Sequence, residues 1–470
     1  MTASNIHYEM ADKSRGINCG GIGAIHMMVC RIGLREEIDR RLPLLKVHLP
    51  YHESDHVLNL AYNALLEGVR LQDIELRRND EAFLDALGAQ RIPDPTTSGD
   101  FTRRFAKWHI VQLMEAINIT RQRVWSKQGA DFLEEALIDT DGTIAPTLGG
   151  CKGGMGLSYK GIWGYAPLTV SLANTNEVLY LVNRPGNSVS HDGCVEWIDR
   201  AIRVVAPHAG RITLRGDTDF TLTGELDRWD DAGIGFVFGM DAHQKVVGLA
   251  EALPGKAWHA LERLPRYEIA TRPRRKPERV KEGIVRFKGY QNKKLLGESV
   301  AEIEYQPHKC RQAYRLIIVR KNISVQKGEA VLFDEIRHFF YITNRKDYTA
   351  EQVVSLANGR GNQENVIEQL KNGVNAMRMP VDDLLSNWAY MVMTALAWNL
   401  KAWFGLLLPN RQRGDEVVRM EFRRFLHSLI LLPAQIVRAG RRIIFRMLAY
   451  NCWLKDLFAA WERLRTLRVT

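Results

Sequence analysis

Residues 136–143 read Ala136-Leu137-Ile138-Asp139-Thr140-Asp141-Gly142-Thr143. A short apolar run closed by Asp-Gly punctuation is a strand signal. Strand side chains alternate faces, so Asp139 and Asp141 point the same way and Ile138 points the other. Two carboxylates on one strand face are costly unless something satisfies them. A divalent cation does so; a solvated Asp-Gly turn is the plainer account.

Further strands follow on the C-terminal side, at Tyr165–Leu172, Val178–Asn183 and Arg211–Arg215. Val195–Val205 has helical periodicity, and strands interspersed with a helix predict a mixed α/β sheet. The glycine-rich stretch Leu148–Gly161 matches no phosphate-loop or dinucleotide pattern and reads as a hairpin. From Gly233 to Asn344 the signal is again mostly strand, at Ile234–Met240, Ile284–Tyr290, Tyr314–Val319 and His338–Thr343, with one short helix near Lys256–Leu264. Helices resume after Thr349 and after Val381, and Arg411–Thr470 reads as helical.

On the N-terminal side, residues 20–130 carry apolar residues at helical spacing. Pro93, Pro95 and Thr96 break the pattern, and Ser98 or Asp100 is expected to cap the next helix. There Phe101, Phe105 and Trp108 share a face, opposite Arg103, Arg104 and Lys107. A turn followed by a capped basic helix suits helix-turn-helix docking on DNA, and equally a plain helical subdomain. The expected division is 1–130 helical and a candidate for DNA binding, 131–232 with 346–408 as the α/β core, 233–345 as a β-rich insertion, and 409–470 as a basic helical region.

The chain has 470 residues, 46% hydrophobic and 25% charged, which excludes a disordered, collagenous or disulfide-scaffold protein. Lys and Arg number 65 against 54 Asp and Glu, a net charge of +11 that suits a polyanionic partner. The tail from Arg411 holds 13 bases against 5 acids, and Arg272–Lys294 holds ten against two. Within them Arg274, Arg275, Lys276, Arg441 and Arg442 are candidate DNA contacts. Six scattered cysteines form no C-x-x-C pair, which fits a reducing compartment, and His308 with Cys310 lacks a second ligand pair. Met1–Gly20 has no apolar run, so no secretory signal is expected. Trp388–Leu408 is long enough to span a bilayer, but Asn399 and Lys401 interrupt it, which predicts a buried core helix.

Two more acidic positions stand out. Arg215-Gly-Asp217-Thr-Asp219-Phe220 ends a strand, where sites form in α/β sheets, and either aspartate qualifies. In Gly359-Arg360-Gly-Asn-Gln-Glu364-Asn-Val-Ile-Glu368-Gln-Leu-Lys371, an α-helix at 100° per residue puts Glu364 about 40° and Lys371 about 20° from Arg360. One acid flanked by two bases suits a metal-held phosphodiester, the acid on the cation and the bases on phosphates. A solvated ion pair is the simpler alternative, and Glu368 falls on the neighbouring stripe. Two strands and one helix thus supply acids for two hard cations. A carboxylate pair for glycoside hydrolysis leaves the basic tail, Arg360 and Lys371 unexplained.

With these residues in view, the sequence resembles the DDE transposases of bacterial insertion sequences, in the group with a β-rich insertion and the motif Y-x2-R-x3-E-x6-K. Arg360, Glu364 and Lys371 match its spacing, while Ala357 stands in the tyrosine position. The resemblance covers Ala136–Arg378, and less closely Pro433–Leu448. It implies an RNase H-like core interrupted by the insertion, with Asp141, Asp217 and Glu364 as catalytic metal ligands for two Mg²⁺ or Mn²⁺ ions. Asp139 and Asp219 stay open as alternatives within each pair. It implies Arg360 and Lys371 on phosphates, terminal inverted repeats and target DNA as partners, strand cleavage followed by 3′-OH strand transfer, and a synaptic homodimer. A cytoplasmic, nucleoid-associated protein without membrane contact is expected. Trp258, in the insertion, either stacks on an extruded base or packs in the fold. The competing functions are a catalytically inactive transposase-derived DNA-binding protein and an RNase H-like nuclease without strand transfer.

Overall fold

The computed structural model describes residue 8 and residues 15–150, 152–263, 283–284, 287–328, 330–440, 442–448 and 451–467. Arg274, Arg275, Lys276 and Arg441 lie outside the described residues, as does most of the basic stretch 272–294. The chain forms two compact units. The first comprises Met1–Glu134, Gly142–Gly210 and Gln363–Thr470, and the second comprises Glu135–Asp141 and Arg211–Asn362.

Along the chain, strand β1 (Arg15–Ile17) precedes helices α1 (Ile22–Arg31), α2 (Leu34–Arg41), α3 (Glu53–Leu65), α4 (Glu75–Arg78), α5 (Glu81–Leu87), α6 (Pro95–Thr102) and α7 (Lys107–Trp125). Then come β2 (Glu135–Gly142), β3 (Ala145–Pro146), β4 (Gly156–Leu157), β5 (Trp163–Tyr165), β6 (Leu168–Leu172), β7 (Glu177–Val182) and α8 (Cys194–Val205). Next are β8 (Arg211–Gly216), α9 (Leu226–Asp231), β9 (Gly235–Met240), α10 (Gln244–Glu251), β10 (His259–Ala260), β11 (Gln291–Tyr305), β12 (Tyr314–Lys327) and β13 (Ala330–Thr343). The chain closes with α11 (Ala350–Gly359), α12 (Gly361–Glu368), α13 (Leu384–Leu406), α14 (Arg411–Arg419), α15 (Phe422–Phe425), β14 (Ala434–Ala439), β15 (Arg442–Met447) and α16 (Leu454–Thr466).

The first unit is built around α13. This helix is buried on every side, so it lacks the polar face of a surface helix. Its polar groups reach strand backbone: Trp388 Nε1 donates to the Leu181 carbonyl at 2.6 Å and Trp398 Nε1 to that of Asn176 at 2.6 Å, while Asn399 bonds both the N–H and the C=O of Val178. Lys401 donates to the carbonyls of Val417, Val418 and Met420 at the end of α14, and its ammonium lies 3.8 Å from the Trp398 ring centre. Burial pushes that ammonium down to about 7. Glu177 on β7 accepts from Arg121 (2.9 Å), Trp125 (2.9 Å), Thr175 (2.5 Å) and Trp403 (2.7 Å), so a carboxylate with no exposure is fully satisfied. Among the described residues no helix is long and apolar enough to cross a membrane.

Two expectations fail in this unit. The cap before the basic helix is Asp94, whose side chain accepts from the Thr97 N–H at 2.9 Å, with Pro95 in the first turn. That helix, α6, stops at Thr102. A second begins after Ala106, whose N–H donates to His109 Nδ1 at 3.0 Å. Phe101, Phe105 and Trp108 therefore share no helix face: the first two are buried and Trp108 is exposed. Region 409–470 is also not wholly helical. After Pro433, inward residues recur every second position (Ala434, Ile436), and β14–β15 form a hairpin with β1 on its far edge.

The second unit carries a mixed sheet in the order β10-β11-β12-β13-β9-β8-β2. Strands β2, β8 and β9 run parallel, with β8 in the middle, and the remaining pairs are antiparallel. Strand β9, assigned from sequence to the insertion, is a core strand paired with β8 and β13. All six of its residues are buried, as expected of a sheet centre. Of the strand expected at Ile284–Tyr290, residues 285 and 286 lie outside the described residues, Ile284 and Phe287 are helical, and pairing starts at Gln291. Helix α10 went unread. Val353 and Val354 of α11 pack on Val237, Val300, Ile317 and Val319, and Thr349 with Gln352 forms the helix's capping box. Trp258 packs under the Arg320 guanidinium, 4.2 Å from its ring centre.

Candidate active site

The two aspartates of β2 have different surroundings. In the parallel register Asp139 lies opposite Arg215 of β8. Arg215 grips it through Nε (2.6 Å) and Nη2 (2.7 Å), and the two side chains are 1% and 4% exposed. The third guanidinium nitrogen donates to the Leu356 carbonyl at 2.9 Å, tying the end of α11 to the sheet. A Cβ on Gly359 would lie 2.8 Å from that nitrogen, so a larger residue there would have to displace the Arg215 guanidinium.

Asp141, two residues further along, accepts from Arg360 Nη1 at 3.1 Å. Arg360 Nη2 lies 3.9 Å from Asp217 Oδ2. One guanidinium thus spans the carboxylates that end two strands of the sheet. Asp217 follows β8 directly and caps a short turn, accepting the Asp219 N–H at 3.0 Å. Burial pushes its carboxyl above the usual range, Arg360 pulls it down, and Asp219 and Asp241 push it up again. A divalent cation takes hard oxygen donors, and Asp141 and Asp217 could offer it theirs.

Arg360, Glu364 and Lys371 do not lie along one continuous α-helix. Helix α11 ends at Gly359 with Arg360 as its C-cap, α12 runs from Gly361 to Glu368, and Gln369–Gly373 is a π-turn. The 100° step behind the single stripe therefore fails on both sides of Glu364. Glu364 is exposed in the first turn of α12, in the first unit. Its neighbour Gln363 is buried and anchors that helix, bonding the Ser171 hydroxyl and donating to the Thr169 carbonyl at 3.2 Å. Lys371 lines a separate cleft of the first unit.

Sequence reasoning missed Arg215 and Gln363. Arg215 was visible as the first residue of its Arg-Gly-Asp run, but its partner emerges only from the strand register. Cys310, considered for zinc, is buried and donates to the Thr223 carbonyl at 3.1 Å. Among the described residues, one acid/His group brings three ligand atoms within 4.8 Å of one another: Asp39, His52 and Glu53. Asp39 accepts from Ser54 and Glu53 from the N–H groups of Leu44 and Leu45, so both carboxylates serve the α2–α3 connection.

The fold thus places two carboxylates, Asp141 and Asp217, at the ends of adjacent parallel strands of a mixed sheet. The chain matches the family described as transposase DDE domain group 1 over residues 19–469, and it belongs to that family. At family level this is a transposase, an enzyme of metal-dependent DNA cleavage and transfer. No curated protein matches the chain. Among solved structures, the piggyBac transposase synaptic complex with hairpin DNA, determined by cryo-EM, is similar at 10% identity and a TM-score of 0.37, over 87% of this chain and 81% of that one.

Proposed function

We propose that this chain is the DNA transposase of an insertion sequence, binding terminal inverted repeats and carrying out strand cleavage followed by 3′-OH strand transfer. The observation that carries the reading is Arg360 spanning Asp141 and Asp217 at the ends of adjacent strands, in a chain of the DDE family. Asp141 and Asp217 are the first two acids of the triad. Glu364 is the third, on the sequence spacing R-x3-E-x6-K alone.

A pair of Mg²⁺ or Mn²⁺ ions, when bound, supplies charge stabilisation for the attacking and leaving oxygens of an in-line displacement. The chain's own part is positional. Asp141 and Asp217 present fixed oxygens because β2 and β8 are locked by the Asp139–Arg215 pair behind them. Arg360 bridges the two carboxylates and offers a guanidinium to a phosphate oxygen. Lys371, Arg442 and the basic stretch with Arg274, Arg275, Lys276 and Arg441 supply phosphate contacts, and two copies act together in a synaptic complex.

The test is nicking and joining of a labelled element end. Wild type should nick with Mg²⁺ and join a pre-cut 3′-OH end to target DNA. Asp141→Asn, Asp217→Asn and Glu364→Gln should each abolish nicking, whereas Asp219→Asn should spare it. Nicking that survives all three changes would overturn the site, and nicking without joining would leave a nuclease.

A further inference from the structure

A cleft of about 430 Å³ opens in the first unit beside Gly142, the residue after Asp141. That is within the range of small-ligand pockets, roughly 300–1,000 Å³. Lys160, Lys371 and Arg184 line it with the hydroxyls of Ser158, Ser188 and Ser190, and no lining residue is acidic. Arg184 is buried and donates to the carbonyls of Ala166 (2.9 Å), Val189 (3.3 Å), Ser190 (2.9 Å) and Asp192 (2.8 Å), which fixes one wall. On the opposite rim, the Ser158 N–H donates to the Ile162 carbonyl at 2.9 Å and the Gly161 N–H to that of Ser158 at 2.9 Å. This tight turn holds Tyr159 outward, 86% exposed, with Lys160 Nζ 5.3 Å from its ring centre.

Cations, hydroxyl donors and an exposed ring make up a nucleotide's complement: phosphate on the charges, base on the aromatic face. Inside a duplex both faces of a base are covered by its neighbours, so away from the duplex ends Tyr159 can stack only on an unpaired one. We infer that this cleft binds one unpaired nucleotide of the DNA strand, its phosphate on Lys160 and Lys371 and its base on Tyr159. The inference rests on the proposed function and adds positioning residues that the acidic motif does not contain.

The experiment uses the full chain in EDTA, so that binding is read without cleavage. The probes are a blunt duplex and the same duplex with a short single-stranded tail carrying 2-aminopurine. Wild type should prefer the tailed probe and quench its fluorescence. Tyr159→Ala should lose the quench and weaken binding of the tailed probe about tenfold, while Tyr159→Phe keeps both. Lys160→Ala should lower the slope of log affinity against log salt by about 0.7. Both positions are on a turn, and circular dichroism checks that each variant folds. Equal binding of the two probes, or an unchanged quench in Tyr159→Ala, overturns the inference. Loss of nicking in Mg²⁺ with tailed-probe binding intact would instead sink the proposed function and leave the cleft standing.

Discussion

Asp139 and Asp141 sit two residues apart on one strand face and do different work. Asp139 is sealed behind Arg215, and Asp141 meets Arg360. Breaking a buried pair leaves an uncompensated charge, so Arg215→Met should cost about 3–5 kcal/mol in urea unfolding. Adding Asp139→Leu to that variant should recover most of the loss. Asp141→Asn should leave the unfolding midpoint nearly unchanged and remove nicking. Sequence periodicity could place both aspartates on one face but could not separate them, because the separation depends on which residue of β8 lies opposite each.

The elements differ in how far they could be read. The strands β2, β7 and β8 and the helices α8 and α13 carry strong local signals, either unbroken apolar runs or clear helical periodicity. The stripe through Arg360, Glu364 and Lys371 was lost to a helix break between Gly359 and Gly361 and to a π-turn, neither of which periodicity encodes. The β14–β15 hairpin was obscured by its arginines, which mimic a basic helix. Lys401, read only as an interruption of an apolar helix, ties α13 to the end of α14. Its folded value of about 7 lies below the ordinary 10.5, so between these pH values the unfolded chain binds more protons. Stability should therefore rise from pH 7 to pH 10, and Lys401→Met should flatten that rise in urea titrations. Between β4 and the segment before Ser188, a Cβ on Gly186 would fall 2.2 Å from the Gly156 carbonyl oxygen. Gly186→Ala should lower the melting temperature and weaken tailed-probe binding.

At the scale of the whole molecule, charge and metal set the expected behaviour. DNA affinity should fall steeply with salt, as phosphate neutralisation requires. A ligand that binds only the folded state stabilises it by RT ln(1 + [L]/Kd), about 1.4 kcal/mol at ten times Kd. Added Mg²⁺ should therefore raise the melting temperature of wild type and leave that of an Asp141→Asn, Asp217→Asn double variant unmoved. Equal shifts in both would place the ion elsewhere.

The backbone passes between the two units four times, and one visit, Glu135–Asp141, lasts only seven residues. Neither unit can be cut from the gene as a single uninterrupted piece. Truncations made to isolate a DNA-binding half from a chemical half would orphan β2 or strip the first unit of its later segments. Dissection of this protein is better done by point substitution, and a protease nick in a surface loop should yield fragments that stay together until denaturant is added.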